Sequence, residues 1–272
     1  MISHFREARP SLPIEFHPEA RIDIMQAMRI AQITHGKREG GAFIAAQRLH
    51  EALLGQDVHS TFLNVSSPLR LKMAWILDRL PLLLIPKPHR PYFSLNLVGA
   101  EKLPTTGFDF IHLHWINKGL LSLEGIRSTR LPIVWTLHDL WPISDVNHYD
   151  SNLILGEDFQ KSKVLNFFLK ETKNLKEEVW AHTPMTFVCP SRWIFDQAQK
   201  SVYSNTHELV HIPNPIDLEV FQPTQKTLAK KNLGVSAESK IILFGAVGGI
   251  VDYRKGFHLL LKALHHLKSS MG

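Results

Sequence analysis

Short apolar runs rich in β-branched and aromatic residues recur along the chain. Each is followed by a stretch in which apolar residues return at helical spacing. Met28–Thr34, Val58–Val65, Phe108–Trp115, Pro132–Leu137, Met185–Pro190 and Glu208–Pro213 have the length and composition of strands. Ala42–Leu54 places Ala42, Ala45, Ala46, Leu49, Ala52 and Leu53 on one helical face. Gly119–Ile126 reads as a short helix, Asp158–Trp180 as a charged, surface-facing one, and Ser191 as the N-cap of a helix running to about Tyr203. Hairpin signals, internal repeats and low-complexity tracts are missing from the sequence. The alternation of strand and helix therefore predicts an α/β fold with a doubly wound parallel sheet.

The strand Pro132–Leu137 stops at two ionisable residues, His138 and Asp139, and Pro142 blocks any further ladder. Ligands of open α/β sheets bind in the crevice outside the carboxyl ends of the strands. A His-Asp pair delivered there suits proton chemistry or the binding of hydroxyl-rich ligands, and the structural alternative is a histidine that only caps a strand end. Other strand ends supply candidates for the same crevice. His114, Trp115 and Asn117 follow Phe108–Leu113, and Gly40–Gly41 follow the first strand and open a helix, where free N–H groups and the helix dipole suit an anion. The glycine spacing is not GxGxxG, so dinucleotide binding is not signalled. His112 and His114 share a strand face, which invites a metal, yet no third ligand stands at a recognisable spacing and the metal reading is rejected.

Leu69–Ile85 alternates bulky apolar residues, Trp75 among them, with Arg70, Lys72 and Arg79, and Lys87 and Arg90 follow. A basic amphipathic helix of this kind predicts peripheral contact with a membrane through Leu69–Arg90. The alternative is a core helix with solvated charges, cut short by Pro81.

Composition narrows the setting. The 272 residues suit one large domain or two smaller ones, and mean hydropathy of -0.07 with 44% hydrophobic residues is that of a soluble globular protein. A net charge of +6 is compatible with phosphorylated ligands, anionic membrane surfaces or nucleic acid. The single cysteine, Cys189, excludes a disulfide framework and a CxxC zinc site and reads as a small buried hydrophobe, which fits a cytoplasmic setting. Residues 1–27 are polar and proline-containing and read as a loose N-terminal extension without a signal peptide. No stretch approaches the roughly 18 apolar residues of a spanning helix.

Several segments together resemble the family-four retaining glycosyltransferases of GT-B architecture, in which two Rossmann-like domains face each other across a cleft. They are the Gly40–Gly41 loop with its following helix, His112–Asn117, Trp135–Pro142, Pro190–Trp193, Ile212–Asp217 and Val220–Pro223. The resemblance runs from about Met28 to Leu264 and implies a Rossmann-like acceptor-side domain over residues 28–223. Residues 224–272 would be the linker and first strand-helix unit of a donor domain, with Lys240–Gly245 as its first strand and the second Rossmann-like domain truncated at Gly272.

The resemblance further implies transfer of a sugar from a nucleotide-sugar donor to a saccharide or lipid-linked acceptor, with retention and with no metal or cofactor required. Polysaccharide or cell-envelope glycan synthesis, in the cytoplasm or at the inner membrane face, is the implied setting. By the same resemblance His138 and Asp139 are the catalytic residues, His138 contacting donor sugar or acceptor at the reacting centre, while Asp139, His114 and Asn117 shape the acceptor side. Lys255, then Arg254, of the Asp252–Phe257 turn would face the donor diphosphate with Gly40 and Gly41. The Ser144–Asp150 segment lacks the glycine- and cysteine-rich insertion common in this branch, keeping only His148–Tyr149, which leaves acceptor preference open. The rival readings are a non-catalytic saccharide-binding or scaffold module, and a Rossmann oxidoreductase or nucleic-acid binder. The off-pattern glycine loop speaks against an oxidoreductase, and no aromatic-basic interleaving supports nucleic acid as a partner.

Overall fold

The computed structural model describes residues 27–35, 40–63, 67–84, 93–149, 163–246, 250 and 252–271. Residues 1–26 of the N-terminal extension expected over 1–27, the loop 36–39 and the basic pair Lys87 and Arg90 lie outside them. The described residues form two compact units that divide after Pro215.

All six strands of the first unit are parallel: β1 (Arg29–Ile33), β2 (His59–Phe62), β3 (Phe110–Leu113), β4 (Ile133–Thr136), β5 (Met185–Cys189) and β6 (Glu208–His211). Their spatial order is β2-β1-β3-β4-β5-β6, so the winding reverses between β1 and β3. That reversal opens a crevice above the carboxyl ends of β1 and β3, with β4 next in line.

The alternation along each strand divides the residues between two faces. Ala31, Ile33, Ile111, Leu113, Ile133, Trp135, Phe187 and Cys189 point into one buried core. Helices α3 (Leu123–Arg127), α4 (Lys163–His182) and α5 (Arg192–Lys200) close that core with Leu123, Ile126, Val179, Trp180, Ile194 and Ala198. The opposite face carries Ile30, Gln32, His112, Val134, Thr136 and Val188, with α1 (Gly41–Leu54) against it.

Helix α4 departs from the expected surface helix. Thr172, Lys176 and Val179 are completely buried and Trp180 nearly so, a stripe at helical spacing that hides a lysine and a threonine among its members. The short helix expected over Gly119–Ile126 forms only at Leu123–Arg127, because Lys118 and Gly119 both take positive φ, 57° and 78°, and turn the chain first.

Helix α2 (Pro68–Arg79) starts at an N-cap, Ser67, whose hydroxyl accepts from the Arg70 N–H, with Pro68 at the first helical position. Pro81 ends it and leads into a 3-10 turn, Pro81–Leu84. Only Ala74, Asp78 and, in the following turn, Leu82 are buried. Asp78 accepts from the backbone N–H groups of Asn96, Leu97 and Val98 at 3.2, 2.8 and 3.5 Å, while burial pushes its carboxyl pKa upward. Gly119 lets the backbones meet: a Cβ there would lie 2.4 Å from the Trp75 nitrogen and 2.9 Å from the Ala74 carbonyl carbon. Gly119→Ala is expected to cost about 2–3 kcal/mol, because a left-handed backbone and a backbone-to-backbone clash combine. Urea unfolding of the variant checks it.

The second unit, from Ile216, holds α6 (Lys226–Asn232), a 3-10 turn at Tyr253–Lys255 and α7 (Phe257–Met271). The strand expected over Lys240–Gly245 is not formed. A strand needs a partner ladder, and none of the described residues offers one, so Ile241, Ile242 and Leu243 stand 49%, 58% and 91% exposed.

Candidate active site

Four of the described polar side chains on the α1 face form a column across the sheet. Gln32 leaves β1, His112 lies in β3, His114 follows it, and His138 follows β4. His114 Nε2 lies 2.9 Å from Gln32 Oε1, and its Nδ1 lies 3.0 Å from His138 Nε2. His112 stacks on His114 with ring centroids 4.4 Å apart, and its Nε2 meets Thr136 Oγ1 at 2.8 Å. Period-two alternation brings residues 112 and 114 to one face, and parallel pairing of β1, β3 and β4 in register brings Gln32 and His138 alongside.

Burial decides the charge of these rings. His112 is held down to about 3 and His138 to about 4, both chiefly by desolvation, although Asp139 pulls His138 the other way. His114 is pushed well below the ordinary histidine range by burial and by its two neighbouring rings. At neutral pH the column is therefore a set of neutral imidazoles that can donate and accept hydrogen bonds. A cavity of about 210 Å³ lies along this face, with His112, His114, Thr136 and Asn214 set among apolar walls that include Ile30 and Leu49. Among the described residues, no three His, Cys, Asp or Glu side chains converge as metal ligands would.

Asp139 sits beside the column but is fully engaged elsewhere. Its Oδ1 accepts from the Trp141 N–H at 2.9 Å, and its Oδ2 from Trp115 Nε1 at 3.0 Å and His148 Nδ1 at 2.7 Å. These donors, with the charge of His148, keep its carboxyl below the usual range despite a desolvation cost that is the largest single influence and acts upward. His148 Nε2 continues to Ser94 Oγ at 2.8 Å. The carboxylate is thus a post that fixes the loop after β4, and its contacts suit positioning more than contact with a reacting group.

Asn117 is 1% exposed and donates through Nδ2 to Asn96 Oδ1 at 2.9 Å, while Asn96 Nδ2 donates to the Leu121 carbonyl at 3.0 Å. It ties the loop after β3 to the segment that carries Asn96. His114 is likewise only 3% exposed, and its ring borders the cavity on the α1 face. Gly40 and Gly41 are exposed at the start of α1, whose first turn carries neither a side-chain cap nor an acidic residue, and a Cβ at Gly41 would meet nothing within 4 Å. In the second unit Lys255 is exposed, and the Arg254 guanidinium is held by Asp252 through contacts of 3.1 and 2.5 Å.

Lys176 lies beneath the loop after β4, and nothing in the sequence pattern marked it. Its Nζ donates to the carbonyl of Trp141, to Ser144 O at 2.7 Å and to Asp145 O at 3.4 Å. It also sits 4.0 Å above the Trp141 ring. Trp141, Trp180 and Trp135 donate their indole N–H groups to the carbonyls of Ser94, Pro142 and His114. The loop that presents His138 is therefore pinned by a buried amine and by the indoles of Trp141 and Trp180.

Comparison with known proteins gives one finding: the model of the family described as Glycosyltransferase Family 4 matches residues 39–220. No curated protein and no solved structure matches the chain.

Proposed function

The chain belongs to glycosyltransferase family 4, and from that premise we propose that it takes part in moving a hexose from a nucleotide-sugar donor to a saccharide or lipid-linked saccharide, with retention and without a metal or cofactor. The observation that carries this reading is His138: a neutral imidazole at the carboxyl end of β4, next to the winding reversal, with Nε2 engaged by His114 and Nδ1 without a partner among the described residues. Such a ring hydrogen-bonds sugar hydroxyls without adding charge to the pocket. Asp139 positions it, while His114 and Asn117 support the acceptor side from behind.

On the donor side, Gly40 and Gly41 open an uncapped helix N-terminus that suits diphosphate oxygens. Within the second unit, Lys255, and Arg254 if Asp252 releases it, offer positive charge of a kind that suits a phosphate group. A cation about 4 Å from a phosphate oxygen is worth roughly 4 kcal/mol at an effective dielectric near 20. Synthesis of a polysaccharide or envelope glycan in the cytoplasm follows as the setting of the reading. His138→Ala should lower turnover of a nucleotide sugar by about two orders of magnitude and leave the fold intact. Near-normal turnover would overturn the role given to His138.

The acceptor reading extends to a membrane surface. Helix α2 and the turn after it are anchored by Ala74, Asp78 and Leu82, yet Leu69, Met73, Leu77, Leu80, Leu83 and Leu84 are each at least 46% exposed. Arg70 and Lys72 are exposed among them. Apolar side chains interleaved with cations fit an anionic bilayer interface, and no described helix is long and apolar enough to cross one. Co-sedimentation with anionic vesicles should show binding that weakens as salt rises, and Arg70→Gln with Lys72→Gln should reduce it. No binding at low salt would leave α2 as a helix that packs on protein alone.

A further inference from the structure

The Gln32–His114–His138 chain has a direction, and the direction starts at Gln32. The side chain is completely buried in β1, and its Oε1 faces His114 Nε2 at 2.9 Å. An amide carbonyl can only accept, so His114 must carry its proton on Nε2. A neutral imidazole has one N–H, which leaves Nδ1 of His114 with a lone pair. The 3.0 Å contact to His138 Nε2 is then a hydrogen bond donated by His138, so His138 also carries its proton on Nε2. Its remaining nitrogen, Nδ1, is left as an acceptor. Resting on the sugar-transfer reading, we infer that Gln32 is a positioning residue that, acting through His114, sets the tautomer of His138 and so presents Nδ1 to the substrate as a hydrogen-bond acceptor for a hydroxyl group.

Three features of the column support this assignment. Gln32 Nε2 is buried and has no hydrogen-bond partner among the described residues, a cost that an apolar side chain of the same volume would not carry. Methionine or leucine would fill the same volume without it. The rings of His112 and His114 stack at 4.4 Å and those of His114 and His138 at 5.3 Å, so neither His114 nor His138 can turn over without disturbing a neighbour. His112, which also stacks on His114, is tied separately to Thr136, so it fixes ring position without competing for the His114 nitrogens. If the Gln32 amide were turned over, both tautomers would invert and His138 would offer an N–H instead of a lone pair. The identity of one buried amide atom thus decides whether the site accepts from a sugar hydroxyl or donates to a sugar oxygen.

The test needs no substrate, so it can fail independently of the sugar-transfer reading. Protein labelled with ¹⁵N-histidine is examined at pH 7.5 by long-range proton–nitrogen correlation, with His138 assigned by its loss in His138→Gln. The expected pattern is a protonated, pyrrole-type Nε2 and a pyridine-type Nδ1 for His138. Gln32→Met, of similar volume, should leave the backbone amide spectrum native and turn the His138 nitrogens into a tautomer mixture. A pyrrole-type Nδ1 in the unaltered protein would overturn the assignment, and so would a His138 pattern left unchanged by Gln32→Met. If Gln32→Met does not fold, the unaltered protein alone still decides, because the amide carbonyl permits only one of the two patterns.

Discussion

Lowering the pH from 7 to 5 is expected to remove about 6 kcal/mol of stability through His112, His114 and His138 alone. The sign follows from the direction of their shifts. Each ring is neutral in the fold at pH 5, since burial holds His112 near 3, His138 near 4 and His114 well below the ordinary range. In the unfolded chain each would titrate near 6.5 and be almost fully protonated at pH 5. The unfolded state therefore binds more protons, and stability falls as pH drops below about 6.5. Each ring contributes about 2 kcal/mol over that interval, against a total of roughly 5–15 kcal/mol for a domain. Burial raises the Asp78 carboxyl, which acts in the opposite sense, but it is one group against three. Urea unfolding at half-unit steps from pH 7 to 5 gives the count of protons taken up as the slope. From these three rings the slope should average about two protons over the interval and approach three near pH 5, and fewer than one near pH 5 would mean that the column is open to water.

The same column shows what the sequence could and could not disclose. The six strands, their parallel pairing and the shared face of His112 and His114 follow from period-two alternation and the absence of hairpin signals. His138 stood out because a buried strand ended on it. Gln32 did not, since a polar residue in a strand looks like ordinary alternation until its neighbour at the end of β3 is known. Asp139 was legible as a residue but not as a role. A carboxylate beside a histidine suggests proton chemistry, and only the three donors from Trp115, Trp141 and His148 identify it as a loop anchor. Asn117 was legible as a polar residue after a strand, but its hydrogen bond to Asn96 was not, because that partner lies far away in the sequence. The strand over Lys240–Gly245 had strand composition, but composition cannot supply a partner ladder.

Lys176→Met is expected to destabilise the fold by about 4 kcal/mol at pH 9 and by about 2 kcal/mol less at pH 7. The intercept comes from the carbonyls of Trp141, Ser144 and Asp145, which lose a buried donor that methionine cannot replace. Each unpaired carbonyl costs about 1–3 kcal/mol. The pH dependence comes from the amine itself. Complete burial lowers its pKa to about 7, against the pull of Asp145 and Asp139, while in the unfolded chain it would titrate near 10.5. Between those values the unfolded state holds a proton that the folded state has released. The native protein therefore gains stability as pH rises from 7 toward 10, and below 7 the burial penalty of the charged amine is constant. Comparing the two proteins at each pH cancels every group they share, so the difference isolates Lys176. The methionine would keep the contact with the Trp141 and Trp180 rings, which separates loss of packing from loss of the donor. A difference that stays flat from pH 7 to 9 would mean that the amine remains charged in the fold throughout. In that case its hydrogen bonds and the two indole faces outweigh the desolvation of a buried cation.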